Sequence, residues 1–188
     1  TLYENILFKD IIARYKLPNH STIKKLVYYL ASNCSKEFTY NSIKNYLSIG
    51  NSSTVSDYCN YLENSFLCFV VNTHSNSLKS QDRYPKKIYF IDHVLAKTVG
   101  FRISEDYGRA LENIVFIELK RRNYEIYNFK ERKECDFIIR ENNKTVQVIQ
   151  VCKDLVDPKT KEREIAGLTE ALAKFSLKAG LIITENIE

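Results

Sequence analysis

The sequence predicts an α/β fold in two parts, a small helical domain followed by a larger domain in which helices flank a β-sheet. Apolar residues recur at helical spacing through residues 21–63. Two segments of alternating apolar and polar residues, 134–140 and 144–152, are typical of neighbouring strands. A further helical pattern after Asp157 leads into the apolar segment 181–184. The overall class is therefore α+β, with the sheet concentrated in the second half.

The composition is that of an ordinary globular chain. Its 188 residues, 44% hydrophobic and 27% charged, suffice for one domain or two small ones. No segment of eighteen apolar residues occurs, and the start lacks a basic segment followed by an apolar one, so we expect neither a membrane span nor a secretory signal. The five cysteines form no CxxC pair, which favours a reducing, cytoplasmic location. The net charge of +5 permits contact with nucleic acid but does not require it.

Residues 1–20 are predicted to form a helix that ends at Pro18. Apolar side chains recur along it at near-helical spacing, as Leu2, Ile6, Leu7, Ile11, Ile12 and Tyr15. The neighbouring sequence offers no helix of matching size. We therefore predict a helix that docks onto a part of the protein outside this chain.

Residues 21–92 have the layout of a winged helix-turn-helix domain. The predicted elements are a helix from Ser21 or Thr22 to about Ala31, a helix opening at Phe38 and Thr39, a turn around Gly50, a helix over about 54–63 and a strand over 66–71. A returning strand at 86–92 would be joined by the Ser- and Asn-rich segment 73–85. Three helices followed by such a strand pair are typical of this DNA-binding fold.

Residues 93–188 are predicted to form the second domain, in the order α-β-β-β-α-β. The predicted elements are a helix over 104–123, strands at 125–129, 134–140 and 144–152, a helix from Asp157 and Pro158 to about Leu177, a C-cap at Gly180 and a buried strand at 181–184.

Three oxygen-bearing side chains are candidates for one site. Glu112 shares a helix face with apolar residues, so it points toward the sheet. If the strands that contain Asp136 and Gln150 pair as a hairpin, those two side chains lie close together. Magnesium prefers oxygen ligands, and nucleases use it to activate water. A metal site at Glu112 and Asp136 is therefore a hypothesis, although a Glu at the edge of an apolar stripe also reaches water easily.

The position two residues after Gln150 holds a cysteine rather than a lysine. A lysine there would share the face of Gln150 and would neutralise the charge that develops during phosphodiester cleavage. Cys152 cannot supply that charge, and a small apolar filler is its simplest role. Lys153 is one residue out of phase. The pattern thus predicts a degenerate nuclease site, formed by Glu112, Asp136, Gln150 and Cys152.

The candidate recognition helix, about 54–63, contains no Lys or Arg. Since phosphate contacts supply most of the affinity for DNA, any binding must depend on other cations. The candidates are Lys24, Lys25, Lys44, Arg83, Lys86 and Lys87. We expect weak binding without sequence preference.

Five segments carry a resemblance to a known family. They are Phe8-Lys9-Asp10-Ile11 with Arg14-Tyr15, Thr54-Val55-Ser56-Asp57-Tyr58 with Tyr61-Leu62, Gly108-Arg109-Ala110-Leu111-Glu112-Asn113, Glu134-Cys135-Asp136-Phe137, and Gln150-Val151-Cys152 with Arg163-Glu164. The chain resembles the C-terminal region of prokaryotic AAA+-type P-loop ATPases, in which a winged helix precedes a restriction-endonuclease-like, PD-(D/E)xK-type domain of unknown function.

The resemblance implies that an ATPase domain precedes residue 1 and binds ATP there. No GxxxxGK[ST] motif occurs in residues 1–188, so this chain cannot bind ATP through a P-loop. The family pattern also continues past residue 184, so we expect a truncation at Glu188. It assigns nuclease-site positions to Glu112, Asp136 and Gln150, with Cys152 in the lysine position. Three functions stay open: a DNA-directed accessory region, an active magnesium-dependent endonuclease, and a protein-interaction module.

Overall fold

The computed structural model describes residues 2–101 and 106–185 and confirms a mixed α/β chain. It divides into two compact units. The first comprises the described residues up to Val70 together with 85–101, and the second comprises Val71–Tyr84 together with 106–185. Among the described residues, no helix has both the length and the apolar character needed to cross a bilayer. The predicted start of a helix at Ser104 lies outside the described residues.

The first unit consists of helices around one core and a small sheet. Its helices are α1 (Leu2–Asn5), continued by a π-helix (Ile6–Ala13), then α2 (His20–Ser32), α3 (Tyr40–Leu47), α4 (Ser52–Asn64) and α6 (His93–Val99). Its sheet has the order β1-β3-β2, from β1 (Glu37–Phe38), β2 (Cys68–Asn72) and β3 (Lys86–Phe90). The strand order makes β3 the central strand, so all five of its residues are buried.

The N-terminal helix packs within this chain. Leu7 and Ile11 are fully buried and belong to the same apolar core as Leu26 of α2 and Leu62 of α4. The helix that we predicted to dock elsewhere therefore completes the core of the first unit. The helices that cover its apolar face lie more than ten residues away in the sequence, so the local pattern does not reveal them.

Helix boundaries follow their capping residues. Asn19 caps α2 by accepting from the Thr22 N–H at 3.2 Å, so the helix begins before the predicted Ser21 or Thr22 cap. Thr39 and Ser42 form a capping box at the start of α3, and Phe38 lies in β1 rather than in the helix. The segment predicted as a wing loop, 73–85, contains the short helix α5 (Leu78–Arg83).

The second unit has a four-stranded sheet of order β4-β5-β6-β7. Its elements are α7 (Tyr107–Arg121), β4 (Glu125–Lys130), β5 (Glu134–Glu141), β6 (Lys144–Val151), α8 (Pro158–Phe175) and β7 (Leu181–Ile183), together with α5. Strands β4, β5 and β6 are antiparallel, and β7 joins β6 in parallel. This is the predicted α-β-β-β-α-β order.

Helix α8 lies close against the sheet at Gly167. A Cβ atom at that position would come within 2.1 Å of the Glu134 carbonyl oxygen, so only glycine allows this approach. The helix begins at Asp157, which accepts from the Thr160 N–H, as predicted. It ends at Ser176, whose φ of 55° is left-handed, and not at the predicted Gly180. Strand β7 is an edge strand with Leu181 exposed, so the predicted burial there is wrong.

Candidate functional site

The hairpin of β5 and β6 places Asp136 beside Gln150. Phe137 pairs with Ile149, which sets the register. The Asp136 N–H donates to Gln150 Oε1 at 3.3 Å, and the Val151 N–H donates to Asp136 Oδ2 at 2.9 Å. Both side chains are buried. The predicted proximity of these two residues is therefore present, and it arises from direct hydrogen bonds across the hairpin.

Glu164 of α8 extends this pair into a network. Gln150 Nε2 donates to Glu164 Oε2 at 2.5 Å. Arg163 donates to the other carboxylate oxygen, Glu164 Oε1, from Nε at 3.1 Å and from Nη2 at 2.5 Å. Glu164 is only 6% exposed, whereas the Arg163 side chain is 69% exposed. The buried carboxylate thus has an amide on one side and a guanidinium at the surface on the other.

Sequence reasoning did not name Glu164 as a site residue. A signal for it exists, because Glu164 shares its helix face with Gly167, Leu168 and Ala171, all of which are buried. A carboxylate in such a position requires partners, since burying an unpaired charge is costly. The same reasoning identified Glu112 on α7.

Glu112 is buried, as its helical spacing predicts. It is 8% exposed and shares the inner face of α7 with Val115, Phe116 and Leu119. Helix α7 packs against β4 and β6. The hydrogen bonds of the Gln150 side chain, however, lead to Asp136 and to Glu164 of α8.

Cys152 is a neutral, buried thiol. Its pKa is raised to about 11, chiefly by burial and also by the carboxylates of Glu164 and Asp136, while Arg163 opposes the shift. The thiol therefore carries no charge at neutral pH, unlike the lysine that a nuclease site has at this position. The neighbouring Lys153 places its Nζ 5.4 Å from the centre of the Tyr107 ring. Arg163 is a cation that could take the role of a lysine at position 152, but it forms an ion pair with Glu164.

Four side-chain oxygens of this network are engaged in hydrogen bonds within the chain. Asp136 Oδ2, Gln150 Oε1 and both Glu164 oxygens each accept a hydrogen bond within the network. Gln150 turns its amide nitrogen, a donor, toward Glu164. Within residues 2–101 and 106–185, no group of three or more His, Cys, Asp and Glu side chains is arranged to hold a metal ion.

Two of the predicted nucleic-acid contacts have buried side chains in this structure. Lys86 and Lys87 are 4% and 3% exposed on β3. Lys86 Nζ lies 5.2 Å from the centre of the Tyr40 ring, and Lys87 pairs in register with Glu37 of β1. Both lysines belong to the interior of the small sheet, so they cannot reach phosphates.

The other predicted cations remain accessible. Lys24 and Lys25 are exposed on α2, Lys44 is half-buried in the last turn of α3, and Arg83 is exposed on α5. Helix α4 carries no Lys or Arg, and its Asp57 is exposed. The candidate recognition helix thus offers DNA no cation of its own.

The segment predicted as a free wing is held within the second unit. Thr73 pairs with Asn128 of β4 in a parallel bridge, and the Thr73 hydroxyl donates to Asn128 Oδ1 at 2.8 Å. The Asn128 amide donates to the Val71 carbonyl at 3.3 Å. His74 packs edge-on against Tyr127 and Phe175. These contacts tie residues 71–74 to β4 and α8 of the second unit.

A family model described as a domain of unknown function, DUF8612, matches residues 1–106. The chain belongs to this family. The match covers the first unit, whereas the network around Gln150 lies beyond it.

Two curated relatives are uncharacterized proteins. One, from Methanocaldococcus jannaschii, is 31% identical over 183 residues, which cover 93% of this chain and 40% of that protein. The other, from Haemophilus influenzae, is 29% identical over 152 residues, which cover 78% of this chain and 38% of that protein. This member of the DUF8612 family therefore spans about two fifths of the length of these relatives. No solved structure matches the chain.

Proposed function

We propose that this chain is an accessory, non-cleaving region of a larger P-loop ATPase, and that it helps direct that protein to nucleic acid. In this proposal the first unit is a winged helix and the second is a restriction-endonuclease-like domain. The ATPase domain would lie outside residues 1–188, and the two relatives have room for such a domain because about three fifths of their length lies outside the matched region.

The element order supports the winged-helix assignment. Helix α2, strand β1, helices α3 and α4, and the strands β2 and β3 follow one another in the order that this fold requires. The sheet order β1-β3-β2 brings the first short strand against the last one. In the second unit, the mixed four-stranded sheet between α7 and α8 supports the nuclease-like assignment.

The observation that carries the non-cleaving role is the hydrogen bond between Gln150 and Glu164, together with the neutral Cys152 at the end of β6. A working site would need a carboxylate at the Gln150 position and a cation in phase with it. Here an amide and a thiol occupy those positions, and the nearby guanidinium of Arg163 is already neutralised by Glu164.

The test is a pair of assays on the full-length gene product. We expect ATP hydrolysis that DNA stimulates, and no cleavage of plasmid DNA with magnesium or manganese. Cleavage that Asp136→Ala abolishes would instead establish the second candidate, an active endonuclease, which the burial of Asp136 and Glu112 favours. Absence of both ATP hydrolysis and DNA binding would leave the protein-interaction role.

A further inference from the structure

The first unit contains an open apolar groove that the proposed function leaves unused. It has a volume of about 800 Å³ and lies between the N-terminal helix, α2 and α6. Its floor includes Leu7, which is fully buried. Phe8, Tyr28 and Val94 line it and are 37%, 43% and 55% exposed. Contiguous apolar surface of this kind marks an interaction site on a folded domain.

Two lysines and two carboxylates, those of Glu4 and Asp92, line the groove. Lys24 and Lys25 line it from α2, and Lys24 Nζ lies 4.7 Å from the centre of the Phe8 ring. Neither lysine forms an ion pair within the part of the chain that the structure describes. Asp92 also lines the groove, but its carboxylate caps α6 by accepting from the Val94 and Leu95 N–H groups at 2.6 and 3.1 Å.

We propose that this groove binds an amphipathic helix with acidic residues on one flank, supplied by the part of the full-length protein outside residues 1–188. The apolar floor takes side chains spaced at i, i+3, i+4 and i+7, as in other helix-in-groove complexes. Lys24 and Lys25 pair with the acidic flank.

Two observations favour this occupant over others. The groove is open along Tyr28 and Val94, whereas a small-molecule site buries most of its ligand. About three fifths of the length of each of the two relatives lies outside the matched region, and a segment of the same polypeptide would be present at high effective concentration. The identity of the partner as an ATPase segment rests on the proposed function, but the groove itself does not.

The experiment uses the full-length gene product with a photo-crosslinking amino acid in place of Val94, a side chain already exposed to solvent. We expect a crosslink to a peptide outside residues 1–188 that has an apolar helical stripe and at least one Asp or Glu. A crosslink between two copies of residues 1–188, or to DNA, or no crosslink at all, overturns the proposal. The same probe at Val156, which is 80% exposed in the second unit, is the control and is expected to give no crosslink to that peptide.

Charge reversal provides the second readout. Replacing Lys24 and Lys25 by Glu is expected to weaken docking, so that the peptides covering residues 3–8 and 94–99 exchange their amide hydrogens about tenfold faster, which corresponds to about 1.4 kcal/mol. Lys178→Glu with Lys161→Glu makes the same charge change at exposed sites of the second unit and is expected to leave those rates unchanged. Equal amide exchange rates of these two peptides in the original chain and in both charge-reversed variants would contradict the proposal.

These outcomes separate the groove from the proposed function. If the crosslink forms but the full-length protein neither contains a P-loop nor hydrolyses ATP, the docking inference stands and the ATPase assignment fails. If ATP hydrolysis is found but the Val94 probe captures nothing, the reverse holds.

Discussion

Gln150 and Glu164 are joined side chain to side chain, and this hydrogen bond links the last buried residues of β6 to the middle of α8. Both are nearly inaccessible, at 5% and 6% exposure. Because Gln150 also accepts from the Asp136 N–H, one amide side chain connects two strands and a helix. The polar cluster therefore acts first as a structural clamp between α8 and the sheet.

Removing the carboxylate at this clamp is expected to destabilise the chain. Glu164→Ala leaves the Gln150 amide without its acceptor, and hydrogen bonds to charged groups contribute about 2 kcal/mol. We expect the free energy of unfolding, measured in urea, to fall by about that amount. Glu162→Ala, on the exposed face of the same helix, is the control and is expected to change stability by less than about 0.5 kcal/mol. Equal effects of the two substitutions would show that the clamp contributes nothing.

Restoring the side-chain types of a nuclease site should make the thermal stability of the chain depend on divalent metal ions. Gln150→Glu together with Cys152→Lys places a second carboxylate beside Glu164, and two buried carboxylates repel each other unless a cation lies between them. We expect this variant to unfold at a lower temperature than the original chain. Adding magnesium or manganese should raise its unfolding temperature again.

Calorimetry on the same variant measures the binding directly. Gln147→Glu, three residues earlier and less buried, is the control and should show no response to metal. A folded double variant that binds no metal would mean that Asp136, Glu164 and the new carboxylate do not converge on one ion.

Alkaline pH is expected to lower stability through the buried thiols. Burial raises the pKa of Cys59 to about 12 and that of Cys152 to about 11. The unfolded chain releases these protons near the ordinary thiol pKa of about 8.5, while the folded chain keeps them. The stabilising contribution is thus complete below pH 8.5 or so and is lost as the pH rises toward the folded values, by about 1.4 kcal/mol per pH unit for each thiol.

The measurement is urea unfolding at several pH values between about 8 and about 10. Cys59→Ala is expected to make the decline shallower by about 1.4 kcal/mol per pH unit. Val55→Ala, also fully buried on α4, should lower stability by the same amount at every pH because it removes no titrating group. Parallel curves for Cys59→Ala and the original chain would contradict the role of this thiol.

DNA binding by this chain is expected to be weak and only moderately sensitive to salt. With Lys86 and Lys87 buried, Lys44 and Arg83 are the main remaining candidates outside the groove. Two phosphate contacts predict a loss of about tenfold in affinity between about 50 mM and about 200 mM salt. Fluorescence anisotropy with unrelated duplexes measures this, and the affinities should not depend on sequence.

Single charge reversals identify the contacts. Lys44→Glu and Arg83→Glu should each reduce the salt slope by about 1, whereas Lys178→Glu, with the same change of charge, should not. Lys86→Ala is expected to lower stability, because the ammonium group lies over Tyr40, and to leave the salt slope unchanged. A tight, sequence-specific complex that survives high salt would refute this picture of the surface.

Local patterns predicted most elements of the second unit. Strands β5 and β6 alternate apolar and polar residues, and Asp157 followed by Pro158 signals the start of α8, so both features depend on neighbours only a few residues away. The adjacency of Asp136 and Gln150 depends in addition on a bulge between Ile139 and Arg140, which shifts the register of the hairpin by one residue. The apolar stripe of α7 likewise identified Glu112 as a buried carboxylate.

Tertiary structure decided the features that depend on distant segments. Lys86 and Lys87 look like surface cations in the sequence, but they lie on β3, the strand between β1 and β2, and every residue of that strand is buried. Glu164 becomes part of the site because α8 approaches the sheet closely at Gly167, which no local pattern encodes. Periodicity records which face of an element is apolar. Which partner covers that face, and which polar side chains meet there, is determined by the free energy of packing the whole chain.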